Sequence, residues 1–482
     1  MAVIGVDVGT TGVKTIAISP DGEVIAKAEA NYPLSTPRPG WSEQDPEDWW
    51  RATQGTLEAV AAAGVDDVRG IGLSGQMHGL VCLDERDKVL RPAMLWNDQR
   101  TGAECAEIEE RIGLKRLIQL TGNRALTGFT APKILWLRRH EPDVYSRISR
   151  ILLPKDYVRL RLTGEHAIDV SDASGTLLFD VANRRWSEEV TEALEIPRSW
   201  LPRVLESPEI SGQTAQGVPV AAGAGDQAAG ALGVGIDRPG PLSVVLGTSG
   251  VVFAALPKYK AEPQARVHVF CHAVPKAWHA MGVMLSAAGS LQWFRDTLAS
   301  GVPFVDLDAQ AAEWAPGSDG LIFLPYLSGE RTPHADPDAR AAFIGLTLRH
   351  DSGSMVRAVM EGVAYGLRDS LELLTKLGVR AEAGRASGGG ARSRLWLRIV
   401  ASALGLPLEL TAIEEGAAYG AALLGGVAGG VFADVNQAIE ACVRVRDIVE
   451  PQRGWQDVYA DGYMRFRELY PALRPHQHTA IE

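Results

Sequence analysis

Asp7-Val8-Gly9-Thr10-Thr11-Gly12 sets an acidic side chain just ahead of a turn built from glycine and threonine. Glycine lets backbone N–H groups come close to a phosphate, and threonine hydroxyls add donors without bulk. Asp7, at the end of an apolar run, supplies an oxygen ligand for Mg²⁺, directly or through water. The same residues also suit an ordinary hairpin with a capping aspartate, so a second copy carries weight. Gly247-Thr248-Ser249-Gly250 is that copy, and two facing loops can clamp one polyphosphate. Gly9, Thr10, Thr11, Gly247 and Thr248 are therefore candidate nucleotide contacts.

Three more segments carry chemistry. Gly223-Ala224-Gly225-Asp226-Gln227 puts an acid at the end of a short apolar strand, where a helix of small residues begins. A helix start favours the ionised carboxylate that a general base requires, although an N-capping aspartate is the commoner use of this position. The run also meets a loose G-x-G-x-x-A dinucleotide pattern. The next strand, however, ends in Gly247-Thr248 rather than in the acid that would hold a ribose. Gly388-Gly389-Gly390-Ala391-Arg392-Ser393 reads as a strand-to-helix turn that can lie flat against an adenine, or as a tight connection and no more. Ser74–Gly79 presents Gln76, Met77 and His78 between glycines. Gln and His offer hydrogen bonds to a polyol, and Met packs on a carbon face. No Gly-Lys dipeptide exists, which excludes a Walker A loop, and neither G-x-S-x-G nor H-E-x-x-H occurs. His268, Cys271 and His272 have metal-ligand chemistry, but a strand context without a carboxylate speaks against a metal cluster.

These loops need elements to hold them. Val3–Val8, Lys14–Ser19 and Val24–Ala30 read as successive strands, followed by an amphipathic helix over Asp45–Ala63 with Pro46 in its first turn. Val68–Leu73 is a further strand, and helical patterns dominate from Ala103 to Leu162. Beyond residue 214 the pattern partly recurs: Leu242–Leu246 and Val251–Ala255 flank the second Gly-Thr turn. Gly384–Ser387 then runs into the triple glycine, with a helix from near Ser393. Residues 416–433 are uncharged but rich in Gly and Ala, so a packed small-residue helix is expected rather than a membrane span. Two similar α/β domains facing each other across a cleft, with a boundary near residue 220, account for this duplication.

Composition agrees with a globular chain: 46% of the 482 residues are hydrophobic and 22% charged. With 48 Lys and Arg against 59 Asp and Glu, the net charge is -11. An acidic chain without a basic run is expected to have neither nucleic acid nor a membrane as its main partner. Cys82, Cys105, Cys271 and Cys442 lie far apart and read as reduced thiols. Without a basic n-region at the N-terminus, the expectation is a cytoplasmic protein.

Two Gly-Thr loops, a mid-chain Asp and a late Gly-rich turn, in that order, resemble the FGGY carbohydrate kinases of the actin-like ATPase superfamily. The resemblance runs through Trp96–Thr101, Gly128–Trp136 with Lys133, Leu153–Tyr157, Asp169–Asp180, Leu324–His334 and Phe343–Leu346, ahead of Arg357–Gly362. It implies an α/β fold of two actin-like (ribonuclease H-like) ATPase domains across a catalytic cleft. Residues 1–220 would carry the sugar loop and the first phosphate loop. Residues 221–482 would carry the catalytic acid, the second phosphate loop and the adenosine site.

Within the family, Gln76–His78 with Trp41-Ser42-Glu43-Gln44-Asp45 before it, and without the Arg-Glu pair of glycerol kinases, implies phosphorylation of the 5-hydroxyl of D-xylulose by ATP. By this resemblance Asp226 is the base, Gln76, Met77 and His78 meet the sugar, and Asp7 organises Mg²⁺. Thr10, Thr11, Thr248 and Gln292 lie near the phosphates, and Gly389 and Gly390 border the nucleotide. The implied partners are a ketose and ATP, and a homodimer is compatible with the family. Another pentulose or polyol (ribulose, xylitol, arabinitol or glycerol) stays open as substrate. So does a non-catalytic actin-like nucleotide switch.

Overall fold

Each Gly-Thr turn closes an antiparallel ribbon, and each ribbon seeds a seven-stranded sheet in the computed structural model, which describes residues 1–477. In the first sheet β1 (Ala2–Val8) pairs with β2 (Gly12–Ile18), and β2 with β3 (Val24–Asn31), all antiparallel. On its other side β1 takes β4 (Val68–Gly75) in parallel. An antiparallel edge of β5 (Ile210–Gln213) and β6 (Pro219–Ala221) follows, with β6 parallel to β4. Strand pairing continues past residue 220, because β7 (Ala224–Gly225) lies parallel to the last residues of β4.

The second sheet repeats the plan. β8 (Pro241–Leu246) pairs with β9 (Gly250–Leu256), and β10 (His268–Cys271) and β11 (Trp278–Met284) extend that side, all antiparallel. β12 (Ala383–Ser387) and β13 (Leu408–Thr411) extend the other side in parallel, and β14 (Val445–Val449) closes it antiparallel. Strand order is β3-β2-β1-β4-β6 in one sheet and β11-β9-β8-β12-β13 in the other. The duplication expected from the two turns is thus a duplication of sheet topology.

Helix α1 (Pro46–Ala62) starts as its sequence predicts, with Pro46 in the first turn and the Asp45 carboxylate accepting from the Glu47 N–H. Its buried residues Trp49, Thr53, Thr56 and Val60 recur at helical spacing and pack on β2 and β3. Helices α2 (Thr130–His140) and α3 (Pro154–Thr163) support the loop after β4. The helical stretch expected over Ala103–Leu162 is interrupted, since Arg150–Leu152 pairs as a strand with Val81–Leu83.

Near the middle of the chain comes α4 (Asp226–Gly233), followed in the second half by α5 (Ala288–Leu298) and α6 (Phe304–Ala312). The long α7 (Ser352–Lys376) opens with a reciprocal Asp351–Ser354 cap, and α8 (Arg394–Leu404) is capped by Ser393.

The uncharged run from residue 416 folds as α9 (Gly416–Ala428) and crosses onto the first sheet and α4. A Cβ on Gly72 would lie 1.7 Å from the Ala421 carbonyl oxygen, and one on Gly5 would lie 2.0 Å from that of Ala418. On Gly420 it would lie 1.8 Å from the carbonyl of Ala229 in α4. Small residues are required here because backbone packs directly on backbone. Among the described residues, no helix is long and apolar enough to cross a membrane.

Candidate active site

Sheet register brings the first three motifs together. Asp7 stands opposite Ser74, and Ala224 opposite the same Ser74; Val8 and Gly225 both face Gly75. The parallel strands β1, β4 and β7 therefore end side by side, and their C-terminal ends lead into Gly9–Thr11, Gln76–His78 and Asp226. In open α/β sheets this is where ligands bind. The second sheet aligns its own pair: Val245 faces Ser387, so Gly247-Thr248 and Gly388-Gly389 emerge together.

Both Gly-Thr loops turn their carbonyls inward. In the first, the Gly9 carbonyl accepts from Gln76 Nε2 at 3.2 Å and from the Tyr32 hydroxyl at 2.5 Å. The Thr10 carbonyl accepts from Gln44 Nε2 at 2.7 Å, and the Thr10 hydroxyl is held by Trp96 Nε1 at 2.9 Å. In the second, the Gly247 and Thr248 carbonyls accept from Ala288 N and Ala287 N, each at 2.8 Å. The amides of Thr10, Thr11, Thr248 and Ser249 have no protein acceptor among the described residues. Unpaired backbone donors in glycine-rich loops are the material of an anion cradle.

This gives Gln76 a different task from the sugar contact expected of it. It is only 1% exposed, and its amide holds Gly9 and, at 3.0 Å, Gln44 Oε1. Met77 packs against Gly225, where an added Cβ would meet Met77 Sδ at 2.8 Å. His78 adopts φ 70°, a strained left-handed conformation of the kind that clusters at functional sites. Its Nδ1 donates to the Gly175 carbonyl at 2.7 Å, which leaves Nε2 as a lone-pair acceptor. Burial pushes the imidazole down to about 3, so it stays neutral. The buried Lys133 ammonium fixes this loop from behind, donating to the carbonyls of Gly128, Phe129 and His78.

Asp226 corrects a second expectation. It begins α4, yet the helix terminus does not keep it readily ionised. Burial, reinforced by the Asp7 charge, pushes its carboxyl up to about 7. Burial likewise raises Asp7 to about 6, against the opposing pull of the nearby Ser74 hydroxyl and the Lys14 charge. Desolvation outweighs the modest helix-end effect.

Asp7 Oδ1 is buried without a hydrogen-bond partner. Two repelling carboxylates with an orphaned oxygen suit a divalent cation that also takes phosphate oxygens and water. Among the described residues, no cluster of three or more His, Cys, Asp and Glu side chains is arranged for a metal. His268 instead pairs its Nδ1 with Asn123 Oδ1 at 2.8 Å, and His272 Nδ1 accepts from Val274 N.

A cavity of about 720 Å³ opens beside the second loop, lined by Gly247, Thr248, Gln292, Gly389 and Gly390. Every second-half nucleotide candidate meets there. Sequence reading missed the other walls: Phe304 and Val305 at the start of α6, and Asp308, which accepts a hydrogen bond from the Ser393 hydroxyl. An apolar pair exposed at a helix start was the available signal; the Asp308–Ser393 contact spans 85 residues and left none. A neighbouring cavity of about 680 Å³ has Asp7 and Lys14 on one side and Ser387–Gly389 on the other. Lys14, also missed, sits on β2 two residues past the first turn, 3.2 Å from both Glu29 and Glu415.

Residues 2–233 match the N-terminal domain of the FGGY family of carbohydrate kinases, and residues 242–429 match its C-terminal domain. Xylulose kinase of Escherichia coli (strain K12) is 45% identical over 485 residues, which cover 98% of this chain and 99% of that protein. The crystal structure of a "xyloylose kinase" from Brucella ovis is 41% identical with a TM-score of 0.94, covering 99% of this chain and 100% of the other. Xylulose kinase from Rhodospirillum rubrum is 32% identical with a TM-score of 0.93, again covering 99% and 100%.

Proposed function

The chain belongs to the FGGY family of carbohydrate kinases, and from that premise we propose that it phosphorylates the 5-hydroxyl of D-xylulose, with ATP as donor and Asp226 as general base. One observation carries this reading. The register of β1, β4 and β7, which ends Gly9–Thr11, the Met77-His78 loop and Asp226 side by side, supports it.

In the reaction, the Asp226 carboxylate accepts the proton as the sugar oxygen bonds to the γ-phosphorus and the bond to the β-phosphate oxygen breaks. His78 Nε2 accepts from a sugar hydroxyl, and Met77 lies against carbon. The amides of Thr10, Thr11 and Thr248 face the phosphates, with Gln292 beside them and Gly389 and Gly390 along the nucleotide. Asp7, with Asp226 beside it, would hold Mg²⁺, whose charge would neutralise phosphate oxygens. In this reading residues 1–220 contribute the sugar loop and the first phosphate loop, and residues 221–482 the base, the second loop and the adenosine site. The proposed cytoplasmic location rests on the four scattered cysteines, and the homodimer on family resemblance.

A panel of ketoses and polyols in a coupled ADP assay tests the substrate. D-xylulose should rank first in kcat/KM; ribulose, xylitol, arabinitol or glycerol ahead of it would overturn the assignment.

The pH profile gives a second check. A base held near 7 is protonated in acid, so kcat/KM should fall as pH drops below about 7. The limb should move to lower pH as Mg²⁺ is raised, because a bound cation favours the ionised pair. A profile flat between about pH 5 and 8 contradicts this role.

A further inference from the structure

Behind the strand that delivers Asp226 lies a cluster of charged side chains with no solvent exposure: Lys155, Asp156, Arg159, Asp169 and Asp172. Lys155 Nζ lies 2.6 Å from Asp156 Oδ1, 2.8 Å from Asp169 Oδ1 and 2.9 Å from Asp172 Oδ2. Arg159 pairs with Asp156 at 2.5 Å and donates to the Ala222 carbonyl at 2.9 Å. Burying so many charges is costly, and apolar residues of similar volume would pack as well or better. None of the five contacts a proposed substrate, so phosphoryl transfer alone does not account for them.

What the cluster touches is the backbone of the site. Lys155 presses its Cβ against Gly75, where an added Cβ would sit 3.0 Å away, just ahead of Gln76-Met77-His78. On the other side Asp169 Oδ2 accepts from the Ser171 hydroxyl at 2.5 Å, and that hydroxyl accepts from the Gly225 N–H at 3.0 Å. Asp169 Oδ2 also accepts from Ser207 Oγ at 3.2 Å, while the Ser207 carbonyl receives the Gly223 N–H at 3.0 Å. Asp172 Oδ1 closes the remaining space, lying 3.0 Å from where a Cβ on Gly225 would be. The residue immediately before Asp226 is thus held from two directions, and its N–H is tied through one hydroxyl to a fully buried ion pair.

The geometry points to Ser171, anchored by the Lys155–Asp169 ion pair, as the positioning residue for Asp226: it fixes the peptide that aims the base at the sugar hydroxyl. The inference rests on the reading of Asp226 as the base. Displacement of a reacting group by about 1 Å costs on the order of 10²-fold in rate, so loss of this tether should appear in turnover rather than in binding.

The test compares full-length Ser171→Ala, Ser207→Ala and Asp226→Asn with the parent, measuring kcat, both KM values and the melting temperature. Ser171→Ala should lower kcat by about 10²-fold and leave KM for ATP and ketose within about threefold. Ser207→Ala removes a hydrogen bond to the same carboxylate oxygen without freeing the Gly225 N–H, so it should keep the parent's kcat. A Ser171→Ala enzyme that melts lower but turns over at the parent's rate would make the cluster merely structural and overturn the inference. Equal loss of kcat in Ser171→Ala and Ser207→Ala would overturn it as well. Full activity in Asp226→Asn would instead remove the underlying reading of the base.

Discussion

Asp226→Asn is expected to lower kcat for ketose-dependent ADP release by about 10²- to 10⁴-fold while ATP still binds with close to the parent's affinity. Asparagine keeps the shape of the side chain but cannot take up a proton. The features around this one group support the proposed role of base. Burial and the Asp7 charge hold its carboxyl near neutrality, so it accepts a proton with useful driving force. It follows β7 directly, beside the Met77-His78 loop, while the cavity assigned to the nucleotide is lined by Gly247, Thr248, Gln292, Gly389 and Gly390. Loss of turnover should therefore separate from loss of nucleotide affinity. Turnover by coupled assay and ATP affinity by calorimetry make the comparison, and the limb near pH 7 should vanish in the variant. Undiminished turnover in Asp226→Asn would end the assignment.

Gly72→Ala is expected to be among the most destabilising single substitutions in the chain, at about 4 kcal/mol or more. The added methyl would lie 1.7 Å from the Ala421 carbonyl oxygen and 2.8 Å from Gly425 N, both main-chain atoms of α9. No rotamer relieves a clash between backbones, so α9 would have to lift from β1 and β4 together and loosen its packing on α4. Gly55→Ala is the control. It lies in α1 with nothing within 4 Å of the new Cβ, and alanine should help that helix by up to about 1 kcal/mol. Thermal melts of the two variants should move in opposite directions. A Gly72→Ala melt like the parent's would show that the contact between α9 and the sheet yields easily.

Local chemistry was the legible part of this molecule. Gly9–Gly12 and Gly247–Gly250 stated their turns outright, and the strands beside them followed from apolar runs of the right length. Asp45 and Ser393 stand at helix starts with the side chains such starts need. Long-range relations were hidden. Gln76 reads as a sugar ligand from its amide's hydrogen-bonding capacity, but that amide lies beneath Gly9, 67 residues away. The expected ionisation of Asp226 followed from its place at a helix start, whereas the Asp7 charge and burial that decide it come from another strand. The residues around 416 announced a small-residue helix, and only the structure supplies its partners, the glycines of β1 and β4. Lys155, Asp169 and Ser171 gave no local sign of acting together, because they converge only once Gly225 is seated against β4.

The central claim is that this site moves the γ-phosphoryl group of ATP to a ketose hydroxyl. Phosphorus NMR of the products from D-xylulose, ATP and Mg²⁺ tests that claim most directly. The account predicts one new phosphate ester at the 5-position, formed in step with ADP. ADP accompanied only by inorganic phosphate, at a rate indifferent to the sugar, would contradict it.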